Sequence, residues 1–321
     1  LRLLDAGGPA APAPESSGSS DTTPPTSAFA TGFGNGQGHS GYLHMDIDSS
    51  GIYTADRRLK EVKKFDFSGN VLFTITSNIS SAKDIAVFQQ NIYVSDSNSI
   101  KKFSSSGNYL GTFATISGVK NIGISNSGNV YASAYQGGQH YVYVFNSAGN
   151  QINVFPVNYT YALEVDPSGT FYISNFLTPT EQPWVVSKYS SSGTFQNYIG
   201  STEHAYQTDG LDAHTGPYCI GVYNSKVYVC EQNEGVVKIF DTSGNIEKII
   251  NSPSTSGTDY ALDSFGSPSD VVLDSAGNIY IADPVKQRIL VFPPNYGDDV
   301  DYTPPSTTDA DTTTDADTTP P

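Results

Sequence analysis

The chain has 321 residues, 12% of them aromatic and 15% charged, with 21 Tyr, one Met and abundant Ser, Thr, Asn and Gly. That is the make-up of an all-β protein with polar turns. Its formal charge of −16 has no basic stripe set against it, which excludes nucleic-acid binding because an acidic surface repels phosphate backbones. No apolar stretch approaches the roughly 20 residues needed to cross a bilayer, so no membrane span is expected.

The chain opens Leu1-Arg2-Leu3-Leu4, with neither an initiator Met nor the apolar segment of a signal peptide, and is read as a processed start. Residues 5–26 are rich in Pro, Ser and Thr and cannot supply a core, so 1–26 form an extended arm and linker. At about 3.1 Å per residue the Pro-rich segment after Asp5 reaches roughly 65 Å, with Leu1, Leu3 and Leu4 as an apolar tip suited to assembly. Residues 36–41 (GQGHSG) satisfy a GxGxxG pattern but precede a strand and open no helix, so they read as a blade connection, not a dinucleotide site.

From Val62 the chain is repetitive. VKKFDFSGNVLFTI at Val62 returns as IKKFSSSGNYLGTF at Ile100, VYVFNSAGNQINVF at Val142, VSKYSSSGTFQNYI at Val186 and VKIFDTSGNIEKII at Val237. Such spacings mark propeller blades, units that cannot bury their faces alone. A second series supplies the first two strands of each blade: MDIDSSGIYTAD, IAVFQQNIYVSD, IGISNSGNVYAS, LEVDPSGTFYIS, IGVYNSKVYVCE and VVLDSAGNIYIAD. Alternation about Gly-Asn turns makes these antiparallel hairpins, and six blades follow, spanning residues 27–297.

Two further features lie within the blades. Cys219 and Cys230 flank a hairpin centred on Asn224-Ser225, and counting outward sets them opposite each other. A disulfide there contributes up to about 3 kcal/mol and points to an oxidising, extracellular or cell-surface location; two buried thiols are the alternative. Asn78 and Asn158 begin N-glycosylation sequons. The sixth blade lacks a fourth strand, since Phe292 runs into Pro293-Pro294 and proline cannot donate to a ladder. SAFATGF at 27–33 resembles the fourth strand of blade two, so Ala28, Phe29 and Phe33 are expected to close the ring beside 288–292, the alternative being a strand from a neighbouring molecule in the same place.

GNIYIAD followed by Arg288-Ile-Leu-Val-Phe292 resembles the NHL-repeat family of six-bladed β-propellers, without the eponymous Asn-His-Leu. The resemblance implies an all-β, six-bladed propeller over about residues 28–297, and a family that includes both enzymes and passive scaffolds. Aligned blade entrances put His44, Asp84, Asn121, Ala162, Cys219 and Asp270 at equivalent points by the central channel. Asp270, His44, Asp84 and Asn121 fall on consecutive blades, and likeness to propeller lactonases and amidating lyases implies a Ca²⁺ or Zn²⁺ held there. Water filling a polar channel mouth accounts for the same residues, and with no second histidine no cofactor is expected. Asp46 and Glu164 occupy a position held elsewhere by Ala86, Gly123, Gly221 and Val272; they are either buried acids with a chemical role or blade-edge residues facing water. No Gly-x-Ser-x-Gly elbow and no HExxH pair is present.

Residues 298–321 form an acidic Thr/Pro-rich tail; seven Asp and no basic residue lie in 297–321. Thr beside Pro resembles O-glycosylated stalks, which makes Thr22, Thr23, Thr303, Thr307, Thr308, Thr312, Thr313, Thr314, Thr318 and Thr319 candidate carriers of covalent glycans. The function expected is an extracellular structural protein, a bead polymerised with its own copies through extended arms into a filament or layer. Two alternatives stand beside it: a secreted lactonase- or lyase-like enzyme with a channel metal, and a glycan- or peptide-binding propeller on a glycosylated stalk.

Overall fold

The computed structural model describes residues 27–30, 43–176, 185–200, 217–231, 235–250, 267–285 and 288–294. Leu1, Leu3, Leu4, Phe33, the 36–41 motif and the tail threonines lie outside them, as do Thr22 and Thr23.

Among the described residues twenty-four strands form six four-stranded antiparallel sheets. After β1 (Ser27–Ala30), blade one is β2 (Leu43–Asp48), β3 (Gly51–Asp56), β4 (Glu61–Phe65) and β5 (Val71–Ile75). Blade two is β6 (Ala82–Phe88), β7 (Asn91–Asp96), β8 (Ser99–Ser104) and β9 (Tyr109–Thr115); blade three is β10 (Val119–Ile124), β11 (Val130–Gln136), β12 (Gln139–Phe145) and β13 (Gln151–Val157). Blade four is β14 (Tyr159–Val165), β15 (Phe171–Phe176), β16 (Val185–Tyr189) and β17 (Phe195–Ile199); blade five is β18 (Pro217–Tyr223), β19 (Lys226–Glu231), β20 (Val236–Asp241) and β21 (Ile246–Ile250). Blade six has β22 (Asp270–Leu273), β23 (Ile279–Asp283) and β24 (Arg288–Phe292), completed by β1.

The first strand of each blade lies against that of the next, and β22 against β2 closes a six-bladed β-propeller. The core is divided accordingly. Each of its six clusters takes residues from two adjacent blades; one joins Tyr53, Val62 and Ile75 of blade one to Ile85, Ile92 and Phe103 of blade two. A blade alone would leave such faces in water, which is why the repeat has to be a ring.

Local chemistry explains the repeated Ser-Gly-Asn. In the β4–β5 turn the Asp66 carboxylate accepts from the backbone N–H of Ser68 and Asn70 and from the Asn70 amide, while Gly69 takes a φ of 84°. An Asx turn followed by a left-handed residue selects Asp or Asn, then Gly. The β6–β7 turn of blade two, Gln89-Gln90, is a different two-residue turn in which both residues are left-handed, with φ of 44° and 62°. The acid that ends the second strand likewise orders the backbone near it. Asp56 accepts from the Arg58 and Leu59 N–H, and Asp96 from Ser80 and Ser81.

Ring closure follows the expected segment over part of its length. Ser27 pairs with Val291, Ala28 with Leu290, Phe29 with Ile289 and Ala30 with Arg288. The first-to-second and third-to-fourth strand turns lie on one face, the turn face; the second-to-third connections lie on the other, the loop face. Because Ile279 opposite Phe292 follows the 274–278 turn, β24 ends on the turn face. Among the described residues no helix is long and apolar enough to cross a membrane.

Candidate functional site in the central channel

First strands present one edge to their own second strand and the other to the channel, so their N–H groups need acceptors from elsewhere. Three aspartates provide them. Asp270 Oδ2 accepts from Met45 N–H of blade one at 2.6 Å while Oδ1 accepts from Val271 N–H at 2.9 Å. Asp46 Oδ2 accepts from Val87 of blade two at 2.6 Å and Oδ1 from Ile47 at 2.7 Å. Asp84 Oδ2 accepts from Ile122 of blade three at 2.8 Å and Oδ1 from Ile85 at 2.8 Å. Each carboxylate thus bridges its own strand to the next blade, across the junctions six–one, one–two and two–three.

The other junctions use different means. Within blades three and four the first-strand N–H is served internally: Asn121 donates its N–H to Ser133 Oγ, which donates back to Asn121 Oδ1, and Ala162 N–H donates to Ser174 Oγ. Between blades three and four, a Cβ on Gly123 would stand 2.6 Å from Val165 Cγ2. Between blades five and six, one on Gly221 would stand 2.7 Å from the Val271 carbonyl oxygen, so only glycine permits either approach. A register slip at the start of β6, β10, β14 and β18 marks the same level of the channel.

The sequence-aligned residues therefore do converge. His44, Asp84, Asn121, Ala162, Cys219 and Asp270 all line one cavity of about 920 Å³, which extends to Ser49, Gln90 and Pro167 at the turn face. His44 Nδ1 stands 3.6 Å from Asp84 Oδ1 and 3.7 Å from Asp270 Oδ2. Burial pushes the Asp84 carboxyl up to about 8, against the pull of the Ile122 and Ile85 N–H donors. It pushes Asp270 up to about 7, opposed first by His44. Burial also lowers His44, with Asp270 opposing and Arg57 assisting.

Glu164 differs from the three aspartates. Among the described residues it makes no bridge to a neighbouring blade, and its side chain, enclosed by protein yet open to the channel, is raised well above the ordinary carboxyl range by burial and by Asp46, Asp270 and Asp84. Of the two acids singled out by their position, Asp46 is a blade bridge and Glu164 a channel-lining acid.

A Ca²⁺ or Zn²⁺ at Asp270, His44, Asp84 and Asn121 does not fit these donors. Among the described residues no group of three or more His, Cys, Asp and Glu is placed to hold a metal ion, and the oxygens of Asp84 and Asp270 are turned toward backbone N–H groups. Cys219 and Cys230 form a disulfide across directly opposed positions, with Cα atoms 5.0 Å apart. The sequon residues Asn78 and Asn158 are exposed.

Fold and channel together define a six-bladed β-propeller whose central acids join its blades. No family model matches the chain, and no curated protein does. Among solved structures it is similar to an auxiliary nutrient binding protein from Bacteroides ovatus ATCC 8483, with a TM-score of 0.60 at 16% identity over 78% of this chain and 68% of that one. It is similar also to Kuenenia stuttgartiensis hydrazine synthase, with a TM-score of 0.55 at 14% identity over 78% and 82% of the two chains. A third likeness is to the nidogen/laminin complex, with a TM-score of 0.50 at 13% identity over 64% of this chain and 78% of that one. At such identities the likeness is one of fold alone.

Proposed function

We propose that this chain is an extracellular structural protein, an NHL-type propeller bead linked to its neighbours in a filament or layer through glycan-bearing Thr/Pro-rich flanking segments. The observation that carries this reading is the use of the channel carboxylates. Asp46, Asp84 and Asp270 each accept one backbone N–H from their own strand and one from the next blade, so the groups an enzyme would set against a substrate hold the ring together instead. The disulfide supports an oxidising location. Electron microscopy of the purified protein tests the reading: beads on filaments are expected, and deletion of residues 1–5 is expected to abolish them while circular dichroism stays unchanged. Filaments that form as before without those residues, or material that stays as isolated rings, would sink it.

A second reading, a propeller that binds a small ligand in its channel, is favoured by Glu164, which faces the cavity without a bridging role. A thermal-shift screen with small amines, repeated on Glu164→Gln, separates the two. A stabilising hit lost in the variant supports ligand binding, and no hit leaves the scaffold reading alone.

A further inference from the structure

The loop face carries an aromatic shelf beside the channel mouth. Tyr135 and His140 stack at 4.7 Å between ring centroids, His140 and Tyr159 at 4.6 Å, Tyr159 and Tyr161 at 5.2 Å, and Tyr161 and Tyr218 at 5.5 Å. The shelf thereby crosses blades three, four and five. It is open to solvent: Tyr135 is 50% exposed, and Tyr159 and Tyr161 are each 39% exposed.

Its edge is basic in a chain of net charge −16. Lys120 Nζ sits 5.1 Å from the Tyr159 ring centroid, and Lys83 Nζ donates to the Val119 carbonyl on the strand that carries Lys120. Arg57 is close enough that its charge disfavours protonation of both lysines, after burial itself. Asp96 acts on Lys83 in the opposite sense, so the edge is led by Lys120 and Lys83, whose amines stand next to stacked rings and form a surface for an anionic partner with flat or ring-shaped apolar groups.

We propose that this shelf receives the acidic tail, residues 297–321, of a second copy of the chain. The inference rests on the scaffold reading above and adds a second contact to the one assigned there to residues 1–5. The tail has seven Asp and no basic residue, and Pro-Pro pairs at 304–305 and 320–321. Proline-rich segments dock on aromatic grooves in the polyproline II form at low entropic cost, and the aspartates meet the Arg57, Lys83 and Lys120 edge. Direction agrees as well. The tail departs beyond Phe292 on the turn face of the last blade, while Tyr135, beside the β11–β12 turn, lies on the opposite face of the ring. A contact from the turn face of one bead to the loop face of the next is heterologous and continues head to tail.

The test is zero-length carbodiimide crosslinking, which joins a carboxylate to an amine in contact, applied to the full chain as an equal mixture of ¹⁴N- and ¹⁵N-labelled protein. Crosslinks of mixed isotope between Lys120 or Lys83 and the tail aspartates are expected. They should be lost in Tyr159→Ala/Tyr161→Ala and kept in Tyr159→Phe/Tyr161→Phe, with circular dichroism as the check on folding. Crosslinks only within one isotope, tail crosslinks confined to other lysines, or a shelf occupied by added oligosaccharide while the tail stays uncoupled would each overturn the proposal. The map of the unaltered chain decides the matter even if a variant does not fold. Filaments without these crosslinks overturn the docking site and leave the scaffold reading standing; mixed crosslinks in material that forms no filament do the reverse.

Discussion

Asp84→Ala isolates the blade bridge. It removes the acceptor of Ile122 N–H in blade three and of Ile85 N–H in its own strand, both at 2.8 Å, in a residue only 6% exposed. A buried donor left without a partner costs about 1–3 kcal/mol, and relief from burying a carboxyl returns part of that, so a net loss of about 2–5 kcal/mol is expected. For a domain of this size 1 kcal/mol moves the midpoint by about 2–4 °C, which makes the fall roughly 4–20 °C. Asp84→Asn keeps one acceptor and the shape of the protonated acid, so it should lose less than half as much at neutral pH. Thermal unfolding in the presence of a chelator measures both, and hydrogen exchange at the Ile122 amide locates the effect: it should accelerate there more than at Val142 in the same blade. An alanine variant that melts within about 1 °C of the parent, with Ile122 still protected, would refute the bridge, because no other change at this site removes two acceptors.

Other outcomes follow from the same geometry. Asp84, raised to about 8 from 3.8, keeps a proton in the folded state that the unfolded chain has released. Asp84 should therefore contribute a fall in stability as pH rises from about 4 to about 8, at most about 1.4 kcal/mol per pH unit and of the same sign as the contributions of Asp270 and Glu164, and the slope should be shallower in Asp84→Asn. Replacing Cys219 and Cys230 together by Ser should cost about 2–3 kcal/mol in denaturant titration, and reduction of the parent should match it. A chain starting at residue 31 loses the four pairs from Ser27↔Val291 to Ala30↔Arg288 and with them about 2–6 kcal/mol. Light scattering should then show association through the bared β24 edge; a monomer of unchanged midpoint would mean that β1 does not close the ring.

Repetition made the fold readable. Strand order, the Ser-Gly-Asn turns and the missing strand of blade six all follow from comparing one blade with the next, since each is dictated by residues within about ten positions of one another. The opposition of Cys219 and Cys230 was likewise local, a matter of counting from Asn224-Ser225. The same comparison located the channel ring of His44, Asp84, Asn121 and Asp270 but not its work. Asp84 acts on Ile122 and Asp270 on Met45, 225 residues away, and no pattern inside one blade specifies what its neighbour lacks. Asp46 shows the limit well: out of place in the alignment, it looked like a candidate site residue, and its oddity is that of a bridge set one pleat further along. The tyrosine shelf passed unseen for a related reason, because Tyr135, Tyr159 and Tyr218 stand at different points of their blades and meet only once the blades are stacked.

Ring closure has a mechanical consequence. The arm enters at Ser27, opposite Val291, one residue from where β24 ends at Phe292, so both flanking segments are attached at one end of a single antiparallel pair. Tension between them falls on one rung at a time, peeling the pair open, instead of loading four rungs together in shear. The seam at β1 is thus a weak link by orientation, whatever its equilibrium stability, and under pull it parts before any of the six inter-blade cores is strained. A string of such beads would stretch by peeling back short strands and recover when slack returns, each ring serving as its own shock absorber.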